Sequence, residues 1–180
     1  VVEVTTLADG GAGSFRRAVD GSDRRVVFRV EGQIDNLTIV DGRGSNVYVE
    51  GSTAPGKGIT FVGRAIRWSG QYHDIVLENF RHRGGPRNVP NDGDNITFIN
   101  GPVRNVILSH LSLSGNHDEA ISFWRQGGVG ATVSDCLFGP GEVAGHNYGM
   151  LVGQKSGPIS IFRNAFIGLE YRNPAVGWDD

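Results

Sequence analysis

Four stretches set beneath one another decide how this chain folds: DIVLENFRH at 74–82, NVILSHLSL at 105–113, ATVSDCLFG at 131–139 and PISIFRNAF at 158–166. Each begins apolar, carries a polar pair in its middle and closes on an apolar or aromatic residue. With Ile75, Val106, Ala131 and Ile159 taken as equivalent, the successive steps are 31, 25 and 28 residues. Steps of that size, with variable loops, are what a solenoid with side insertions gives. Equivalent positions then stack vertically, each strand pairs with the strand one coil on, and Val, Ile, Leu and Phe fill one interior column. The expected fold is all-β, a right-handed parallel β-helix.

The flanking sequence agrees. Short apolar runs bounded by Gly, Pro, Asn and Asp predict strands at Val26–Val30, Leu37–Val40, Val47–Val49, Ile59–Val62, Ile75–Leu77, Ile96–Ile99, Val106–Leu108, Thr132–Val133 and Ile159–Ile161. The 28 glycines are scattered, as many tight turns require. Beyond residue 21 no stretch has the 3.6-residue period of a crossover helix, which argues against a doubly wound α/β fold. The Asp-Gly pairs do not join alternating strands regularly, which argues against a sandwich of hairpins. One helix is expected, over 14–20. Ser14 is its N-cap, Phe15, Ala18 and Val19 form one apolar face, and Gly21 is the stop. It sits where the open end of a β-helix needs a cap. No comparable cap closes the other end, at Val176-Gly177-Trp178-Asp179-Asp180, so the chain is read as one domain over 1–180 lacking its C-terminal coils or cap.

Composition narrows the function. A net charge of −2 gives no basis for nucleic-acid binding. No apolar run is long enough to span a bilayer. The single cysteine, Cys136, excludes an intramolecular disulfide or a cysteine-built zinc site and is expected as core packing. The first residues carry no basic and apolar leader pattern, as would also hold for a secreted protein whose leader had been removed.

A family resemblance rests on ordered motifs from residue 7 to 174. Leu7-Ala8-Asp9-Gly10-Gly11-Ala12-Gly13-Ser14-Phe15-Arg16 resembles the GxGSLR entry of pectate-lyase-like proteins, and Gly51-Ser52-Thr53-Ala54-Pro55-Gly56-Lys57-Gly58-Ile59 resembles their GQTAPGKGI turn. Ser109-His110-Leu111-Ser112-Leu113-Ser114 with Asp118-Glu119-Ala120 is similar to their DHCSxS…DE block. His146-Asn147-Tyr148-Gly149-Met150-Leu151-Val152-Gly153, Arg163-Asn164-Ala165-Phe166 and Tyr171-Arg172-Asn173-Pro174 resemble the HxYGxLIG, HNLF and RxP elements.

The resemblance implies a secreted (extracellular or periplasmic), monomeric lyase that cleaves pectate, an acidic polygalacturonate, by calcium-assisted β-elimination. A cation on the C6 carboxylate stabilises the enolate-like transition state, and a base takes the C5 proton. By match, Arg172 is that base, with a surface ion pair as its plain alternative. Asp94 and Asp118 match the calcium aspartates, and Asp92 and Glu119 are nearby candidates, though Asp92-Gly93 is also a good turn dipeptide. Tyr148, His110, His146 and Asn173 are the substrate-binding candidates. His110 also fits a structural histidine, and Tyr148 a half-buried tyrosine.

Departures matter. Ser109 replaces an aspartate of the pattern, Ser122 stands where many relatives carry a further calcium aspartate, and Ala175 and Gly177 replace two later arginines. These keep two alternatives open: a non-catalytic carbohydrate-binding or adhesion β-helix, and a polygalacturonase built on carboxylates around a water.

Overall fold

The computed structural model describes residues 1–84, 93–142 and 145–178. The chain winds into a parallel β-helix of three sheets. The first holds Val2–Val4, Arg24–Phe28, Val47–Glu50, Tyr72–Glu78, Val103–Ser109, Ala131–Ser134 and Ile159–Phe162. The second holds Gly32–Leu37, Ile59–Gly63, Arg81–Gly84, Ser112–Ser114, Leu137–Phe138 and Ala165–Phe166. The third holds Val40–Asp41, Ile66–Ser69, Ile96–Ile99, Glu119–Trp124, Tyr148–Gly153 and Ala175–Trp178. Every paired strand is parallel to its neighbour one coil away.

The expected register is the observed one. Ile75 pairs with Val106, and Ala131 with Ile159, so the four equivalent positions form one inward column. Ile75 and Val106 are fully buried, and Ile159 is half-buried against the core. A second column runs Val49, Leu77, Leu108, Val133, Ile161. In the third sheet Trp68, Phe98 and Phe123 stack at centroid distances of 5.9 and 5.3 Å. Identical shapes in register let rings lie flat on one another, the offset stacking that aromatic pairs favour.

The corner between the first and second sheets explains the polar pair inside the repeat. Asn79, His110, Asp135 and Arg163 each take a left-handed conformation, with φ between 53° and 59°. That one residue turns the chain sharply, and the next, such as Phe80, Leu111 or Cys136, drops back into the core. Asn and Asp accept this conformation readily because their short side chains bond the local backbone.

Three local expectations are corrected. The helix is a single turn, Phe15–Ala18, capped by Ser14 and ending at Val19 rather than spanning 14–20, because the chain must return into the strand at Arg24. Leu37–Val40 is a corner between two strands rather than one strand. Glu119–Trp124 and Tyr148–Gly153 are strands without a period-two pattern, because they are buried on both faces. Among the described residues no helix is long and apolar enough to cross a membrane.

Candidate active site

The loops that enter the third sheet stack one above another, and each delivers one or two chemically active side chains. Asp94 precedes Ile96, which is level with Ile121, so Asp94 lies over Glu119 and beside Asp118. Glu119 is in turn level with Tyr148, and Tyr148 with Tyr171, which places Arg172 one coil further on. One carboxylate oxygen from each of Asp94, Asp118 and Glu119 falls within 4.8 Å of the other two. Arg172 reaches this cluster from the other side, pairing with Glu119 and standing 3.9 Å from Asp118.

Each side chain is held. Asp94 Oδ2 accepts from the Thr97 hydroxyl (2.8 Å), and Oδ1 from the Glu119 main-chain N–H (3.1 Å). Burial pushes the Asp94 carboxyl up to about 7; hydroxyls of Thr97 and Ser122 work against this, the Asp118 charge adds to it, and Arg172 opposes it. The Ser122 hydroxyl donates to Glu119 Oε2 at 3.3 Å. The Arg172 guanidinium lies over the Tyr148 ring, 4.4 Å from its centroid. Tyr148 is therefore half-buried beneath Arg172, and its hydroxyl donates to the Gly145 carbonyl at 2.5 Å. His146 is exposed, with Nδ1 3.5 Å from Asp118 Oδ1.

Two residues that sequence reasoning passed over set the spacing. Gly93 was legible only as a turn residue, yet a Cβ there would lie 2.6 Å from the Asp118 main-chain nitrogen. Its carbonyl accepts the N–H groups of His117 and Asp118, so the two coils meet at closer range than any side chain allows. Asn116, fully buried, donates from Nδ2 to the carbonyls of Asp118 (2.5 Å) and Tyr148 (3.0 Å), tying two site-bearing loops together. A polar residue two before an acid offers no sequence signal for such a bridge.

Other candidates lie apart. His110 occupies a left-handed corner between the first and second sheets, exposed, with Nδ1 near Ser109 Oγ. Asn173 is exposed and donates to the Leu169 carbonyl at 3.5 Å. Asp92 lies outside the described residues. Cys136 is buried, and burial pushes its thiol up to about 11, as expected of a packing residue.

Three carboxylates and a hydroxyl are oxygen donors of the class that a hard divalent cation takes. The three carboxylates line a groove of about 220 Å³ together with Arg67, Thr97 and Asn100. Crowding of half-buried Asp94 and Asp118 against the buried Glu119 is a cost that a bound cation would relieve, so the donor set fits calcium.

A parallel β-helix with a carboxylate cluster faced by an arginine on one sheet is thus the class that fold and geometry define. No protein-family model matches the chain. Proteins named "Probable pectate lyase C" are similar to it: 38% identical over 178 residues in Emericella nidulans, 36% over 176 in Aspergillus terreus and 35% over 178 in Neosartorya fischeri. These alignments cover 96–98% of this chain and 39–40% of the relatives, so the chain spans about two fifths of their length. The chain is related to the pectate lyase family along nearly its whole length.

Proposed function

We propose that this β-helix acts outside the cell as a polysaccharide lyase, cleaving polygalacturonate by calcium-assisted β-elimination. The observation that carries this is the contact of Arg172 with Asp118 and Glu119, two members of the carboxylate cluster that Asp94 completes. Asp94, Asp118 and Glu119 would hold calcium, with Ser122 contributing an oxygen. When bound, the cation supplies charge neutralisation for a uronate carboxylate. Glu119, which pairs with Arg172, would in that role exchange this partner for the cation. Arg172, positioned over Tyr148 and first releasing a proton to solvent, would in its neutral form take the C5 proton as the C4–O bond breaks; the departing oxygen would take a proton from water, leaving an unsaturated sugar end. His146, beside Asp118, and Tyr148, beneath Arg172, would face the sugar ring.

A second reading is favoured by the Arg172–Glu119 pair and by Ser122 standing in for an acid: a β-helix that binds polyuronate without turning it over. Ultraviolet absorbance of a polygalacturonate mixture separates the two. The lyase gives a rise with calcium that EDTA abolishes. A binder gives none at any pH, and a hydrolase gives new reducing ends without absorbance.

A further inference from the structure

Two features prominent in the sequence take no part in the acid groove: the run Gly51–Ile59 and His110. The structure places both on the walls of one hollow of about 440 Å³, which Ser52, Asn79, Arg81 and Ser112 also line. It opens on the second sheet, whereas the carboxylate cluster belongs to the third.

The middle of this face is mostly basic. Outward positions of the second sheet run Thr60, Arg81, Ser112, Leu137 and Ala165 in one column, and Val62, Arg83 and Ser114 in the next. No acid stands among these positions, although the strand Gly32–Leu37 at the sheet's edge carries the exposed Asp35. Arg81 donates from Nε to the Thr60 hydroxyl (2.8 Å) and from Nη2 to the Lys57 carbonyl (2.5 Å). Arg83 donates to the Ser112 carbonyl (2.6 Å) and hydroxyl (3.0 Å). These acceptors are neutral, and among the described residues neither arginine nor Lys57 enters an ion pair. By contrast Arg16, Arg25, Arg29, Arg67 and Arg163 each meet a carboxylate. Of the nearby acids, Asp135 is held by Arg163 at 2.7 and 2.8 Å, while Glu31 accepts the Lys57 main-chain N–H at 2.6 Å and keeps its charge at the rim beside Gly56. Burial, and after it the Arg81 charge, press Arg83 below the usual guanidinium range.

We infer that this hollow is a second, non-catalytic binding site for acidic polysaccharide, with Lys57 and Arg81 taking a uronate carboxylate and Ser52, Asn79, His110 and Ser112 facing sugar hydroxyls. It rests on the polyuronate reading above. Guanidinium held in place by neutral acceptors is pre-organised for a carboxylate. A few cations among hydroxyls, on a chain of net charge −2, suit a hydroxyl-rich polymer better than the phosphate array of a nucleic acid.

The test is calorimetric binding of a saturated galacturonate oligomer in excess EDTA. Lys57→Gln should weaken it about threefold and the Lys57→Gln/Arg81→Gln pair about tenfold, roughly 1.4 kcal/mol. Lys57 is exposed, so its single variant reports binding even if loss of Arg81 disturbs the fold; thermal melting checks both. Unchanged affinity in Lys57→Gln and the pair overturns the site. So does equal weakening toward a fully methyl-esterified oligomer, or a DNA oligonucleotide bound as tightly as the uronate. Elimination is scored separately, by absorbance after calcium is restored. Binding through Lys57 and Arg81 without absorbance leaves this site standing and overturns the lyase reading; absorbance with charge-independent binding does the reverse.

Discussion

Arg172 reaches the carboxylates from a left-handed backbone conformation, with φ 54°, unusual for a long side chain. Its carbonyl accepts the Met150 N–H at 2.6 Å, and Gly149 leaves room for it: a Cβ there would lie 2.6 Å from that same carbonyl oxygen. The guanidinium is thus aimed by backbone as well as by Glu119 and Tyr148. Arg172→Lys keeps the charge and loses the planar reach. We expect turnover to fall on the order of 10²–10⁴-fold, with polyuronate affinity and Tm near those of the wild type. Full activity in that variant, measured by absorbance, would remove Arg172 from the chemistry. His110 teaches the opposite lesson. Its motif match was legible, but its place in the column of Asn79, Asp135 and Arg163 makes it a corner residue remote from the acids.

At the scale of elements, the acid groove depends on how closely successive loops approach. Gly93→Ala would force its loop away from Asp118, separating Asp94 from its neighbours. We expect calcium affinity to drop about tenfold, read by titration calorimetry, with little change in far-ultraviolet circular dichroism. The one-turn helix is held by packing rather than by its own length: Phe15 lies 4.4 Å from Phe61 and 6.1 Å from Phe28, ring centre to ring centre. Phe15→Ala should cost about 3–5 kcal/mol in urea unfolding, because it opens the end of the core column. Ser14→Ala, which removes the cap to the Arg17 N–H and the hydroxyl's bond to the Gly11 carbonyl, should cost about 1 kcal/mol.

For the whole molecule, stability, pH and metal are linked through Asp94. Its carboxyl is raised to about 7 by burial. A raised carboxyl favours the folded state at low pH. That contribution is complete below the unfolded value of about 3.9 and is lost as pH climbs through about 7. Calcium selects the ionised form. The metal-free protein should therefore lose stability between about pH 4 and 7, while the rise in Tm caused by calcium should grow over the same window. Asp94→Asn should flatten both dependences in thermal melts with and without EDTA. A calcium effect independent of pH in the wild type would detach Asp94 from the metal.

What the sequence by itself determined was the solenoid. The four repeats at 74–166 state the inward residues, and vertical stacking turns a one-dimensional repeat into a register that the paired Ile75, Val106, Ala131 and Ile159 reproduce. The cap position was legible too, because an N-cap followed by one apolar face is local information. Only the tertiary structure decided which acids meet. Asp94 lies over Glu119 rather than over Asp118, and Gly93 and Asn116 control the gap, because these contacts cross from coil to coil and depend on loop paths that no local pattern encodes. The strands Glu119–Trp124 and Tyr148–Gly153 were hidden for a related reason: with both faces buried, they show no alternation to read.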